Sequence, residues 1–354
     1  MRLMMIHAPS PIVREFCRRG YEIVSCNSNK SFDSQDSLPA EWGPKQRTID
    51  FYGRKKVTYS AIKNVARIAR EFQPDLIHAF IPNSLAWSVL GTAGMRRPPK
   101  IISYRGITRV PTWFDPADWI TYLSPRVSLH ACESRAVQQA MMRGGIPESR
   151  CRVVYNAMWD FEDKQTRREW RAGWGVDDDT LVIGTVGHIR PVKGVDVLLE
   201  AASKLPATIP WKLLLGGVID DPNVTRWMQH DALRGRVIAP GPISPAASAM
   251  KAFDLFVMPS RSEGLCRALI EATTVAVAAV VSDAGGMKEL VRDHQDGLVV
   301  PKENAEALRA AMLSLLVDPE KRLRMGKSAS EHTQSLCSTA VVADKLQAMY
   351  EEVV

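Results

Sequence analysis

Apolar runs too short to be helices recur along this chain, and most are followed by a stretch whose apolar residues return at helical spacing. In the first half the runs fall at 2–7, 21–26, 75–80, 100–106, 128–132 and 152–157, with helical patterns around 57–72, 83–94 and 134–144. In the second half they fall at 180–187, 211–217, 236–241, 254–260, 277–283 and 297–301. Helical patterns there cover 193–204, 223–233, 266–275, 286–292 and 304–317, and the chain from 318 onward reads as helix. Near-continuous apolar strands alternating with helices predict parallel sheets covered on both faces. Because the pattern runs twice, the chain reads as α/β, with two doubly wound, Rossmann-like domains in tandem. Ligands of such sheets bind outside the carboxyl ends of the strands, so a cleft faced by both domains is the expected site.

Breaks in the pattern set the boundaries. Residues 160–179, DFEDKQTRREWRAGWGVDDD, are highly charged and lie where a linker belongs. That divides the chain into an N-terminal domain over 1–160, a C-terminal domain over 161–337, and an amphipathic segment, 338–354, packing back on the body. Residues 27–56 are polar and punctuated by Gly and Pro, so they read as a long loop of the functional or mobile kind.

A chain of 354 residues, 45% hydrophobic and 24% charged, has the composition of a soluble globular protein with two cores. It contains no uncharged apolar stretch of about eighteen residues, which argues against a spanning helix. The opening MRLMMIHAPSP meets proline too early for a secretory signal and reads as a first core strand. Six scattered cysteines (17, 26, 132, 151, 266 and 337) include no CxxC pair. That fits a reducing compartment, the cytoplasm, and argues against a disulfide framework or a structural zinc. Charge is unevenly divided: 23 basic against 13 acidic residues over 1–160, and 23 against 26 over 161–354. A basic half suits either generic solubility or an anionic partner, such as acidic lipid at the inner face of the plasma membrane. Clusters such as Arg54-Lys55-Lys56 and Arg96-Arg97 come with no nucleic-acid motif, so a nucleic-acid partner is not expected.

The most specific chemistry lies in MPSRSEGLCRALIEA (258–272). A buried strand ends at a turn, Glu263-Gly264 follows, and good helix formers begin at Cys266. A helix start offers unpaired N–H groups and partial positive charge, a seat for a diphosphate. Glu263 stands before that seat and Glu271 inside the helix, its side chain tilted back toward it. A phosphate there would have a carboxylate on either side, each able to accept from sugar hydroxyls. Spacing alone fits two solvated glutamates equally well.

A second candidate is VGHIRPVKGVDVLLEA (186–201). The strand ends in Gly187, and Lys193-Gly194 opens the next helix, so Arg190 and Lys193 project from a strand's carboxyl end. Two cations there can clamp a diphosphate, with His188 as a further donor; solvated basic residues are the plain alternative. Neither a P-loop nor a GxGxxG fingerprint occurs. Gly216-Gly217 and Gly285-Gly286 mark tight βα turns, and Gly241-Pro242 closes another strand.

Taken in order, VGHIRPVKGVDVLLEA, LLLGG, VIAPGPI, DLFVMPSRSEGLCRALIEA and VVSDAGGMKELVRDHQDGLVVP resemble the retaining nucleotide-sugar glycosyltransferases of the GT-B fold, family 4. The resemblance covers most of 180–301, and is looser over 1–160, where DLIHAF, KIISYRG and CRVVYNA match successive strand landmarks. It implies that Glu263 holds hydroxyls of the transferred sugar and Glu271 the ribose. Backbone N–H groups of Leu265, Cys266 and Arg267, beside Gly264, would face sugar and diphosphate, while Arg190 and Lys193 neutralise phosphate. It further implies a hexose moved with retention, through front-face attack, onto a glycan or lipid-linked acceptor in polysaccharide or lipopolysaccharide synthesis. Three positions depart from the family's habit: His188 where Arg is common, Cys266 where Gly is frequent, and Arg105 where His or Asp often stands near the acceptor.

Breaking a sugar–diphosphate bond builds negative charge on the leaving oxygen, so Lys193, Arg190 and the helix end would supply the main catalysis. No Asp-x-Asp stands at a strand end to hold a metal, and Asp177-Asp178-Asp179 falls in the linker, so neither metal nor cofactor is expected; the nucleotide sugar is a co-substrate. TWFDPADWITYL (112–123) brings Trp113, Phe114 and Trp119 as an acceptor platform, a membrane contact or core. His78 reads as a strand-end structural residue. A nucleotide-sugar 2-epimerase and a non-catalytic nucleotide-sugar binder share this architecture and stay open; the first needs an acid/base pair that 1–160 does not offer.

Overall fold

A computed structural model describes residues 1–27, 45–48, 58–158, 161 and 165–354, with backbone alone for 45–48. The chain divides into two compact units: Met1–Ala157 with Ser338–Val354, and Met158–Cys337.

Unit 1 holds β1 (Arg2–Ile6), β2 (Glu22–Asn27), β3 (Lys45–Thr48), β4 (Leu76–Ala79), β5 (Lys100–Arg105), β6 (Val127–Cys132) and β7 (Cys151–Val153). They form one parallel sheet in the order β3-β2-β1-β4-β5-β6-β7. β1 alternates its burial between two cores, as a central strand must. Leu3 and Met5 meet the helices Ser10–Arg18 and Thr339–Val353, while Met4 and Ile6 meet the helix Tyr59–Phe72. Leu85 and Val89 of the helix Pro82–Gly91 join Val137 and Met141 of the helix Arg135–Arg143 in a third cluster. The C-terminal helix also places Tyr350 Oη 2.7 Å from His78 Nδ1. Burial drives the His78 pKa down to about 3, so the ring is neutral and structural.

β3 corrects the reading of 27–56 as loop throughout. It pairs with β2 from Val24–Lys45 to Asn27–Thr48 at the sheet edge. Its sequence, KQRT, has no apolar run, so backbone pairing at an edge leaves no hydrophobic signal. Arg54-Lys55-Lys56 and most of that stretch lie outside the described residues.

Unit 2 holds β8 (Leu181–Val186), β9 (Trp211–Gly216), β10 (Val237–Gly241), β11 (Leu255–Met258), β12 (Ala279–Ser282) and β13 (Gly297–Val300). These form a second parallel sheet, β10-β9-β8-β11-β12-β13, with Ile183, Leu213, Leu215, Leu255 and Val257 packed on the helices Val195–Ser203 and Ala305–Leu316. Strand order reverses between β8 and β11, which makes their carboxyl ends a topological switch point.

The supposed linker is a structured part of this unit. Its helix Arg167–Gly173 starts at a Thr166–Glu169 capping box. Arg171 is buried, bonded to Asp254 at 2.6 Å and to the carbonyl oxygens of Ala252, Asp177, Asp178 and Thr180. Five acceptors, spread over all three of its nitrogens, make a buried guanidinium tolerable, and this is why a charge-rich segment packs instead of floating. The carboxylates of Asp177, Asp178 and Asp179 remain exposed. The helix expected over 223–233 is Pro222–Trp227 followed by a 3₁₀ turn, Asp231–Leu233. Among the described residues no helix is long and apolar enough to cross a membrane.

Candidate active site

Three βα turns of unit 2 meet at the switch point. The first follows β8: Gly187 takes φ 143°, Arg190 leads a 3₁₀ turn, Pro191–Lys193, and Gly194 in the left-handed region starts the helix Val195–Ser203. Lys193 thus sits in that tight turn rather than opening the helix. A Cβ on Gly194 would lie 2.2 Å from the Pro259 carbonyl oxygen, so this turn rests on the end of β11. The second turn runs from Pro259 to Cys266, ahead of the helix Arg267–Thr274. The third follows β12, where Gly286 N–H donates to the Gly264 carbonyl at 3.0 Å.

Lys193 Nζ lies 2.5 Å from Glu263 Oε1, and Ser260 Oγ donates to the same oxygen at 2.9 Å. Lys193 and Glu263 keep side-chain exposures of 21% and 12%, so water weakens this pair only in part. Burial opposes the Lys193 charge, yet its pKa is held above the ordinary lysine value. Of its neighbours, Cys266 is neutral, because burial, aided by Glu263, pushes its thiol up to about 12. The Glu263 carboxylate is therefore the group that holds the ammonium charged, against repulsion from Arg190.

Two supports of this pair escaped the sequence reading. Arg261 grips Asp196 through both guanidinium nitrogens, at 2.9 and 2.8 Å, and donates to the Pro191 carbonyl at 2.5 Å. Its own N–H donates to Val192 O, so one arginine clasps the β8 turn to the β11 turn. Burial acts against the Asp196 charge, but Arg261 holds its carboxyl below the usual carboxylate range. Ser260, wholly buried, is fixed by Ser282 Oγ at 2.5 Å to its carbonyl. A signal was present: Asp196 and Arg261 are opposite charges in two turns assigned to one site.

The remaining donor-side residues are distributed by burial. Gly264, Leu265 and Cys266 are buried in the turn, and Glu271 is half-buried on the helix. Arg267, Arg190 and His188 are exposed, with His188 Nε2 3.7 Å from Asp220. Gly187 and Gly217 pack backbone to backbone where the neighbouring strands β8 and β9 end: a Cβ on Gly217 would fall 1.9 Å from Gly187 O.

The acceptor-side candidates fall at two places in unit 1. Arg105 is buried at the end of β5, its guanidinium 4.1 Å over the Tyr122 ring and bonded to the Arg109 carbonyl. It buttresses the following loop from within. Trp113 lies beside Gly145, beyond the end of the helix Arg135–Arg143, and Trp119 Nε1 donates to its carbonyl. That helix starts past the carboxyl end of β6 and runs back, so both tryptophans lie toward the opposite edge of the sheet.

Two family models tile the sequence: glycosyl transferases group 1 matches residues 166–332, and Glycosyltransferase Family 4 matches 12–158. The chain belongs to the group 1, family 4 glycosyltransferases. Among curated proteins it is similar to an alpha-D-kanosaminyltransferase of Streptomyces kanamyceticus, 30% identical over 62% of this chain and 58% of that one. It is also similar to a D-inositol 3-phosphate glycosyltransferase of Corynebacterium glutamicum, 29% identical over 57% of this chain and 49% of that one. It thus spans about half the length of the curated relatives it matches. Among solved structures, Anabaena Alr3699/HepE in complex with UDP and glucose aligns at TM-score 0.80, with 17% identity, over 99% of this family member and 100% of that chain. A sucrose-phosphate synthase of Thermosynechococcus elongatus aligns at 0.77, with 18% identity, over 100% and 99%. At such identities the likeness is one of fold, GT-B.

Proposed function

We propose that this chain moves a hexose from a nucleotide-diphosphate sugar to a glycan or lipid-linked acceptor, with retention and without a metal. One observation carries the reading: the acid of the E-x7-E element and the cation of the first βα turn meet at 2.5 Å beside the switch point of one sheet. Lys193 and Arg190 would neutralise the leaving diphosphate, and the N–H groups of Leu265, Cys266 and Arg267 would extend that field. In this reading Glu263 orients sugar hydroxyls, Glu271 holds the ribose, and Gly187, Gly264 and His188 line the donor. Lys193 would exchange Glu263 for phosphate as donor enters, freeing the carboxylate to accept from the sugar. The acceptor would attack from the face the diphosphate leaves. Charge neutralisation is assigned to these cations because both stand in the turn that follows β8, at the switch point.

UDP and UDP-glucose in the Anabaena structures support a nucleotide-sugar donor. A lipopolysaccharide outer core galactosyltransferase, WaaB, of the same fold (TM-score 0.70, 14% identity) supports a cell-surface glycan acceptor. The test is nucleotide release from a panel of nucleotide sugars with and without glycan or glycolipid acceptors. Acceptor-dependent release supports transfer; epimer formation, or binding with no turnover, sinks it.

A further inference from the structure

The amino-end edge of the unit 1 sheet carries an aromatic and cationic face that donor chemistry does not use. Phe114 is 95% exposed, Trp113 60% and Trp119 55%, all within one connection between β5 and β6. These rings are not loose. Buried Asp118 accepts from Arg109 Nη2 at 2.5 Å and from Thr112 N–H at 2.9 Å. Asp115 caps the short turn at Ala117 N–H, 2.9 Å, and Trp119 Nε1 donates to Trp113 O at 2.7 Å. A polar frame thus holds three apolar rings outward, where water solvates them poorly.

Backbone direction places this face. Gly144 and Gly145, past the end of the helix Arg135–Arg143, lie against Pro111 and Trp113. Arg150, just beyond, donates to the carbonyls of Ser124 and Val127 at the start of β6. On the same edge Arg126 donates to Thr92, at the end of the helix Pro82–Gly91, and Arg96 and Arg97 stand exposed ahead of β5. Arg143 is exposed next to the aromatic loop, and the exposed acids of this edge include Glu148, ahead of β7, and Asp75, ahead of β4.

We propose that this edge seats the protein on an anionic lipid bilayer. Trp113, Phe114 and Trp119 would enter the boundary between headgroups and acyl chains, where amphipathic rings settle. Arg96, Arg97 and Arg143 would face lipid phosphates, and surface charge would add to apolar insertion. A membrane matches this chemistry better than a sugar platform, because the rings lie toward the sheet edge opposite the one that gathers ligands. The seat is a tether, and it stands independently of the proposed transfer reaction.

Co-sedimentation of the full chain with vesicles tests it, in the absence of donor and acceptor, so a chain that transfers nothing still gives an answer. Binding should be stronger to an equal mixture of phosphatidylcholine and phosphatidylglycerol than to phosphatidylcholine alone, and should weaken with salt. Phe114→Ser, at a position that packs on nothing, should lower vesicle affinity about tenfold. Arg96→Ser with Arg97→Ser should remove the preference for anionic vesicles. Failure of the wild type to bind anionic vesicles overturns the proposal, as does binding that Phe114→Ser leaves unchanged. Sedimentation velocity showing a dimer that Phe114→Ser dissolves would assign the face to a second copy instead.

Discussion

The backbone of Gly285 lies so close to Glu263 that a Cβ there would fall 1.7 Å from the Glu263 carbonyl oxygen. Gly285 takes φ 55°, and the next residue's N–H bonds the Gly264 carbonyl, so the β12 turn fixes the acidic turn from behind. Gly285→Ala should cost at least about 2 kcal/mol of stability, from the left-handed backbone and the collision together, and should weaken donor binding by moving Glu263. Gly173→Ala, where a Cβ meets nothing within 4 Å, is the control and should be neutral. Equal urea midpoints for the two variants would refute the close contact.

Lys193→Met should lower turnover about a hundredfold, as loss of a charge-stabilising donor does. Its stability cost comes from leaving the largely buried Glu263 carboxylate without its cation. Adding Glu263→Gln should recover stability and leave turnover low. Recovery of both would make the pair merely structural.

Acid should undo the Asp196–Arg261 clasp. The Asp196 pKa is depressed in the folded chain, so its contribution is present above the ordinary carboxylate value of about 3.9 and fades as pH falls through the folded value. Asp196→Asn should therefore be about 1 kcal/mol less stable at neutral pH, and the gap to the wild type should narrow at an acid pH below the ordinary carboxylate value. Denaturant melts at both pH values check this.

Glu271→Gln should weaken nucleotide binding about tenfold by removing a charged acceptor for ribose hydroxyls. Titration calorimetry with the nucleotide alone reads this directly, and full affinity in the variant removes Glu271 from the donor site.

Arg171→Met should destabilise unit 2 by about 3 kcal/mol, since Asp254 loses its buried partner. Arg171→Lys should not restore it, because one ammonium cannot reach the four carbonyls and the carboxylate together. Thermal unfolding of the three proteins decides.

Much of this protein is visible in its order of residues. Strands such as LMMI at 3–6 and LFVM at 255–258 are buried on both faces, so their apolar runs had to read as central parallel strands. Glycine and charge at the ends of β8 and β11 marked where chemistry belongs, since backbone approach and phosphate binding restrict residue type. Other features left no periodic trace. β3 is an edge strand of polar residues, and Arg171 sits in a segment whose charge imitates a linker. Arg105, Trp113 and Trp119 carried suitable chemistry for an acceptor, and only the folded chain decides that Arg105 is buried while both rings are exposed.

The sequence by itself determined two doubly wound sheets and the residue types at their turns, because hydrophobic period and backbone permissiveness are local properties. Tertiary structure alone decided that Lys193 meets Glu263, that Arg261 clasps Asp196, and that the exposed rings lie at the far edge. Those are contacts between chain segments tens of residues apart, fixed by strand order, which no local pattern encodes.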